Sequence, residues 1–269
     1  MNVLDLFSGA CGGWSLGLHR AGFTTVAACE LVPWRRDRFG FNFPHVKLYD
    51  DVRTLTAERL LGDGIGRIDV VAGSPPCQDA SAVNTVKGGQ GIDGERTGLF
   101  WEALRLVREL RPDWVCLENV PPLRTKGYDR IHDALAADDY TCRPLVVEAA
   151  CAGAPHLRAR VWIIANAKVL QRPSIAWRQP DRYSESIEAP DAPDAAGEQV
   201  GSAGQSWLDA LEEWKSWNGG IASLGRVDDG LPKGMARQLL SAYGDAVVPV
   251  IPELIGRSIR RALTKASND

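Results

Sequence analysis

The chain has no C-x-x-C pair, only four histidines, and no apolar run approaching the roughly 18 to 20 residues that cross a bilayer. These shortages exclude whole classes of protein. Without clustered cysteine and histidine a structural zinc cage is not expected, and the six cysteines at 11, 29, 77, 116, 142 and 151 suggest free thiols rather than a disulfide framework. The opening MNVLDLFSGA has neither the basic nor the apolar region of a secretory leader, so a cytoplasmic protein without a membrane anchor is expected. A net charge of −3 argues against indiscriminate attraction to a polyanion.

Local charge says more. Residues 143 to 182 hold seven bases against two acids, whereas Tyr183 to Glu213 holds eight acids and no Lys or Arg. The second stretch is rich in Pro, Ala, Gly and Ser, and reads as an acidic, solvated linker over about 184 to 206.

The first half of the chain alternates short apolar runs with amphipathic segments. Strands are expected at 2–7, 24–30, 68–74, 114–120, 144–150 and 161–167, and helices at 13–21, 33–41, 54–62, 98–110 and 127–137. Such alternation predicts an α/β architecture, a doubly wound and mostly parallel sheet covered by helices. After Ala167 the pattern stops, and residues 168–235 read as a small irregular lobe. Regular patterning returns over 236–263, where Ile251, Leu254, Ile255, Ile259 and Leu263 are expected on one helix face. The expected division is therefore 1–167 plus 236–269 as the large domain, with 168–235 inserted.

In a doubly wound sheet, ligands bind at the carboxyl ends of strands. Asp5 closes the first strand, and Gly9, Gly12 and Gly13 follow in a turn where backbone can approach a nucleoside cofactor. Glu30 ends the second strand, where an acid can accept from ribose hydroxyls, and Asp51 with Val52 could meet an adenine edge and face. Taken alone, the glycine turn could serve only tight packing, and Asp51 could be a helix cap. Cys77 stands just past a strand end behind Pro75 and Pro76, which restrict the backbone before it and suggest a positioned nucleophile. The polar, glycine-rich stretch 78–98 that follows is expected to be a loop closing over substrate. Glu118 and Asn119 are expected to be exposed at a later strand end, and Arg158 and Arg160 share one face of an extended segment suited to phosphate or carbonyl oxygen.

In order, DLFSGACGG, GSPPCQ, ENV, HLRAR and GDAVVP resemble the motifs of the cytosine-5 DNA methyltransferase family. The resemblance covers 1–167 and about 226–269. It implies the class I methyltransferase fold, S-adenosylmethionine as methyl donor without a metal, and double-stranded DNA as substrate of a monomer. It also implies Cys77, Glu118, Arg158 and Arg160 as the catalytic group. By the same resemblance Phe7, Ser8, Gly9, Glu30, Leu31, Asp51, Val52, Pro76, Leu99, Asp245 and Val247 look like cofactor contacts, and Asp5 at the strand end with Gly12 and Gly13 in the turn are expected to join them. The inserted lobe would read the target sequence. Gln78 and Ser81 in the loop, with Lys168, Arg172, Arg178, Arg182, Arg226, Lys233 and Arg237, are the expected DNA contacts. Two positions depart from the family pattern: His156 stands where Gln is frequent, and Asp245 stands where Asn is usual. An RNA cytosine methyltransferase and a catalytically silent DNA-binding regulator are the competing classes.

Overall fold

A computed structural model of the chain describes residues 1–76, 99–154, 156–167 and 244–266. Among these residues seven strands form one sheet: β1 (Asn2–Leu6), β2 (Thr24–Cys29), β3 (Lys47–Tyr49), β4 (Val70–Gly73), β5 (Trp114–Asn119), β6 (Tyr140–Glu148) and β7 (Ala159–Ala167). Their order across the sheet is β3-β2-β1-β4-β5-β7-β6. The pairs among β3, β2, β1, β4 and β5 are parallel, and β7 runs antiparallel between β5 and β6. This is the α/β sheet expected from the alternating pattern.

Among the described residues six α-helices cover it: α1 (Gly13–Arg20), α2 (Pro33–Asn42), α3 (Ala57–Gly62), α4 (Leu99–Leu110), α5 (Tyr128–Ala137) and α6 (Val250–Ala266). Strand residues alternate between two cores, as the period of two in a strand requires. Leu4, Leu6, Val71, Val115, Leu117, Val161 and Ile163 join α3, α4 and α5 on one face. On the other, Val3, Val70, Ala72, Cys116 and Ile164 meet Trp14 and Leu18 of α1 and Ile251, Ile255 and Ile259 of α6. Both faces of each central strand are thus apolar, and a parallel sheet buried on both sides reads as near-continuous hydrophobic runs.

Several boundaries differ from the sequence pattern for identifiable reasons. The expected strand 144–150 instead spans Tyr140–Glu148, because β6 is an edge strand and can hold Pro144 without losing a needed ladder bond. The helix expected from 54 begins at Ala57, since Thr56 is its N-cap and accepts from Arg59 N at 3.1 Å. Strand β3 has only three residues and offers too little periodicity to be seen in advance. Leu254, expected on the apolar face of α6, is 50% exposed, because the buried stripe follows 251, 255 and 259. The expected lobe 168–235, the stretch 78–98 and the patterned residues 236–243 lie outside the described residues.

No helix among the described residues is long and apolar enough to cross a membrane, no metal-holding group of His, Cys, Asp and Glu occurs among them, and the five described cysteines are free thiols.

Candidate active site

Strands β1 and β4 are neighbours, but the chain leaves them toward opposite sides of the sheet, which makes the gap above their carboxyl ends the topological switch point. A cavity of about 620 Å³ opens there. Its size suits a nucleoside-sized ligand, for which cavities of roughly 300 to 1,000 Å³ are usual.

The loop after β1 forms one wall. Phe7 holds a left-handed backbone (φ 58°), a conformation costing a non-glycine residue on the order of 1 kcal/mol that the surrounding packing must over-determine. Gly9, also left-handed at φ 64°, would direct an added Cβ into open space. Ser8 Oγ is buried without a hydrogen-bond partner. A buried hydroxyl without a partner beside a cavity suits a polar ligand atom. Gly13 has a packing role: a Cβ there would lie 2.2 Å from the Val247 carbonyl oxygen, so only glycine lets α1 start against 244–247.

Carboxylates brace this wall. Glu30 accepts from Gly9 N and Val32 N, both at 2.9 Å, and so ties the end of β2 to the glycine turn. Asp51 is clasped by Arg53 at 2.7 Å, and that guanidinium holds its carboxyl below the usual carboxylate range. Asp5 does not line the cavity. Fully buried, it accepts from Ser15 Oγ at 2.6 Å and Ser15 N at 3.2 Å, capping the first turn of α1. Burial, opposed by those two bonds, pushes its pKa up to about 7.

The opposite wall carries the group expected to act on substrate. Glu118 is 6% exposed, not the open strand-end acid that its position suggested, because β5 runs on to Asn119 and β7 covers it. Arg160 Nε stands 2.9 Å from Glu118 Oε1. Burial raises the Glu118 pKa, and Arg160, a hydrogen bond from Ser74 and the charge of Arg158 act against that rise. Asn119, 2% exposed, is likewise turned inward: its Nδ2 donates to Pro75 O at 3.0 Å and its Oδ1 accepts from Val120 N. Asn119 thereby tethers the Pro75–Pro76 segment that leads into position 77. Arg158, left-handed at φ 26°, donates to Gly244 O at 2.8 Å and so holds the returning segment 244–247 against the cavity.

Of the residues expected at a site, the structure gathers fourteen around this one cavity: Phe7, Ser8, Gly9, Glu30, Leu31, Asp51, Val52, Pro76, Leu99, Glu118, Arg158, Arg160, Asp245 and Val247. Asp5, Gly12 and Gly13 lie behind its wall. Cys77, Gln78, Ser81, Lys168, Arg172, Arg178, Arg182, Arg226, Lys233 and Arg237 lie outside the described residues. Sequence reasoning missed Arg35, Ser74 and Trp14, which also line the cavity. Arg35 Nη2 meets Asp245 Oδ2 at 2.6 Å across 210 residues of sequence, and no local pattern could have signalled that pairing.

The profile described as C-5 cytosine-specific DNA methylase matches residues 1–222. The Type II methyltransferase M2.BsuMI of Bacillus subtilis is 36% identical over 174 residues, covering 62% of this chain and 42% of that protein. M1.HphI of Haemophilus parahaemolyticus is 37% identical over 172 residues, covering 62% and 46%. The chain thus spans less than half the length of these curated relatives. Among solved structures, a DNA modification methyltransferase encoded within an E. coli prophage shares 34% identity at a TM-score of 0.55, over 65% of this chain and 49% of that one. S. pombe Dnmt2 methyltransferase, at 17% identity, matches in fold alone, with a TM-score of 0.61 over 97% of this chain and 99% of that one. Because the profile runs through most of the sequence and its residues converge on one cavity at the switch point, the chain belongs to the C-5 cytosine-specific DNA methylase family.

Proposed function

We propose that the chain is a DNA cytosine-5 methyltransferase that transfers the methyl group of S-adenosylmethionine to carbon 5 of a cytosine in double-stranded DNA. The observation that carries this reading is one cavity walled on one side by a glycine turn with an orphaned serine hydroxyl. On its other side stand the buried Glu118, paired with the half-buried Arg160, and the proline segment leading into Cys77.

The cavity fits the methyl donor. Gly9 leaves open space for close backbone approach, Ser8 Oγ lacks a partner, and Glu30, Asp51 and Val52 would hold the nucleoside, with Asp245 and Val247 at the far wall. When bound, S-adenosylmethionine supplies a methyl group on a sulfonium, for which carbon 5 of an activated cytosine is the acceptor.

Activation is the work of the chain's own residues. The Cys77 thiolate adds to carbon 6, and the displaced ring electron pair makes carbon 5 nucleophilic. Glu118, with a pKa raised by burial, is suited to hold a proton toward ring N3 while the ring takes up the thiolate's charge, and Arg160 would bind the ring carbonyl. Loss of the carbon 5 proton to a water-accessible base then restores the ring double bond and expels Cys77. Carbon 6 is inaccessible in a stacked duplex, so the base must be flipped into the cavity. Residues 168–235 are assigned to target recognition, with the basic residues 168 to 182 and Arg226, Lys233 and Arg237 along the phosphates. On this reading the enzyme is a cytoplasmic monomer.

The test is transfer of labelled methyl from S-adenosylmethionine to duplex DNA by the full chain, with methylated positions mapped by sequencing. Label at cytosine carbon 5 in a defined short context supports the reading. Label in RNA alone, or binding to DNA without transfer, would replace it with one of the two competing classes.

A further inference from the structure

A line of polar side chains runs along the cavity wall from helix α1 to Glu118. Trp14 Nε1 donates to Ser74 Oγ at 3.1 Å, and Gly73 pairs with Leu117 in the β4–β5 register, which sets Ser74 beside Glu118, whose ionised carboxyl the serine hydroxyl favours and whose Oε1 faces Arg160 Nε at 2.9 Å. An indole nitrogen can only donate. Ser74 Oγ is therefore the acceptor toward Trp14, which leaves its single hydrogen for the carboxylate. Hydroxyl rotation would ordinarily let a serine serve as donor or acceptor; here the polarity is fixed by its neighbour.

Each member is held in place independently. Trp14 is 2% exposed and packs edge-on against Trp162, with ring centroids 5.3 Å apart and planes at 69°. Ser74 N donates to Leu6 O at 3.3 Å, and the next residue, Pro75, is tethered through its carbonyl to Asn119. Glu118 sits in β5 beside β7, fully inside the strand ladder.

We propose that Trp14 and Ser74 are positioning residues for Glu118: the indole orients the serine hydroxyl, and the hydroxyl fixes the rotamer and the accepting oxygen of the carboxylate that faces the reacting base. This extends the proposed function, since the role of Glu118 rests on that reading. One consequence is that the helix carrying the glycine turn and the strand carrying the site acid are joined by a directional bond, so the geometry of the acid depends on the helix that walls the methyl-donor side.

The charged groups facing Glu118 among the described residues are Arg160 in β7 and Arg158 just before it, while Ser74, just past β4, contributes a neutral donor. Removing that donor withdraws stabilisation from the ionised form and leaves the arginines as they were. A merely structural serine would leave the Glu118 titration where it stands.

The test is carboxyl ¹³C NMR of the full chain labelled at glutamate, with the Glu118 signal assigned by its loss in Glu118→Gln. In Ser74→Ala the titration midpoint should rise by about one pH unit, as loss of a hydrogen bond to a carboxylate implies. Ser74→Thr, which keeps the hydroxyl, should return it to the wild-type value. Trp14→Phe should move it in the same direction by less, and this variant reads the chain without touching Ser74. An unmoved or lowered midpoint in Ser74→Ala, or an equal rise in Ser74→Thr, overturns the proposal. Because the proton on Glu118 is read directly, failure of the full chain to methylate DNA would count against the proposed function and leave this result standing.

Discussion

Replacing Asp5 by Asn should flatten much of the pH dependence of stability. Asp5 is fully buried, its pKa is raised by desolvation from 3.8 to about 7, and in the unfolded chain it would titrate near the lower value. Between these limits the folded state keeps a proton that the unfolded state has released, so stability falls as pH rises. The contribution is complete below pH 3.8, declines through the window up to about 7, and is gone above it. Across a difference of that size, at 1.36 kcal/mol per unit, the swing is at most about 4 kcal/mol, a large part of the roughly 5 to 15 kcal/mol that stabilises a typical domain. Asn has no such titration. Its carbonyl can still accept from Ser15, so α1 keeps its cap, and the amide nitrogen would take the place of Oδ1, which lacks a partner now. The assay is urea denaturation at pH 4.5, 6 and 8, compared between wild type and Asp5→Asn so that other titrating groups cancel. Wild type should lose stability relative to the variant as pH rises. A difference between the two that stays constant with pH would refute the assignment of a raised pKa to Asp5.

Glu118→Gln should lower the single-turnover methylation rate far more than DNA affinity, because the proposed bond to N3 strengthens as the ring accepts the thiolate; equal rates would reduce Glu118 to a partner of Arg160. Asp245→Asn should change stability by less than about 1 kcal/mol, since the carboxylate is 58% exposed in its pair with Arg35. The same substitution should weaken S-adenosylmethionine binding measured by calorimetry, and tighter binding by the Asn variant would show that the carboxylate opposes the cofactor. Alanine at Lys168, Arg172, Arg178 and Arg182 together should reduce the slope of log K for DNA against log salt; an unchanged slope would place the phosphates elsewhere.

The sheet was legible because β1, β4 and β5 are apolar on both faces and carry the strand ends that matter, namely Phe7 to Gly9, Ser74 to Pro76, and Glu118 with Asn119. What the pattern could not supply was direction. Glu118 and Asn119 read as exposed because polar residues at a strand end usually face water, whereas here Arg160 and the Pro75 carbonyl satisfy them inside the fold. Asp5 read as a cavity residue from its place before the glycine turn, but side chains alternate along a strand, and the structure turns it toward Ser15 on the helix side. Partners far apart in sequence, Arg35 with Asp245 and Trp14 with Ser74, have no local signature, since each depends on how α1, α2 and the 244–247 segment close around the switch point.

The central claim is that Cys77 attacks cytosine carbon 6. A duplex carrying 5-fluorocytosine at a mapped target blocks the final loss from carbon 5, so the full chain with S-adenosylmethionine should become covalently joined to it, with the join mapping to the peptide that contains Cys77. Cys77→Ser, in which a far weaker nucleophile of similar size replaces the thiol, should form no adduct and transfer no methyl group, yet bind S-adenosylmethionine nearly as wild type does. Full methyl transfer by Cys77→Ser, or an adduct that maps to another residue, would contradict the account.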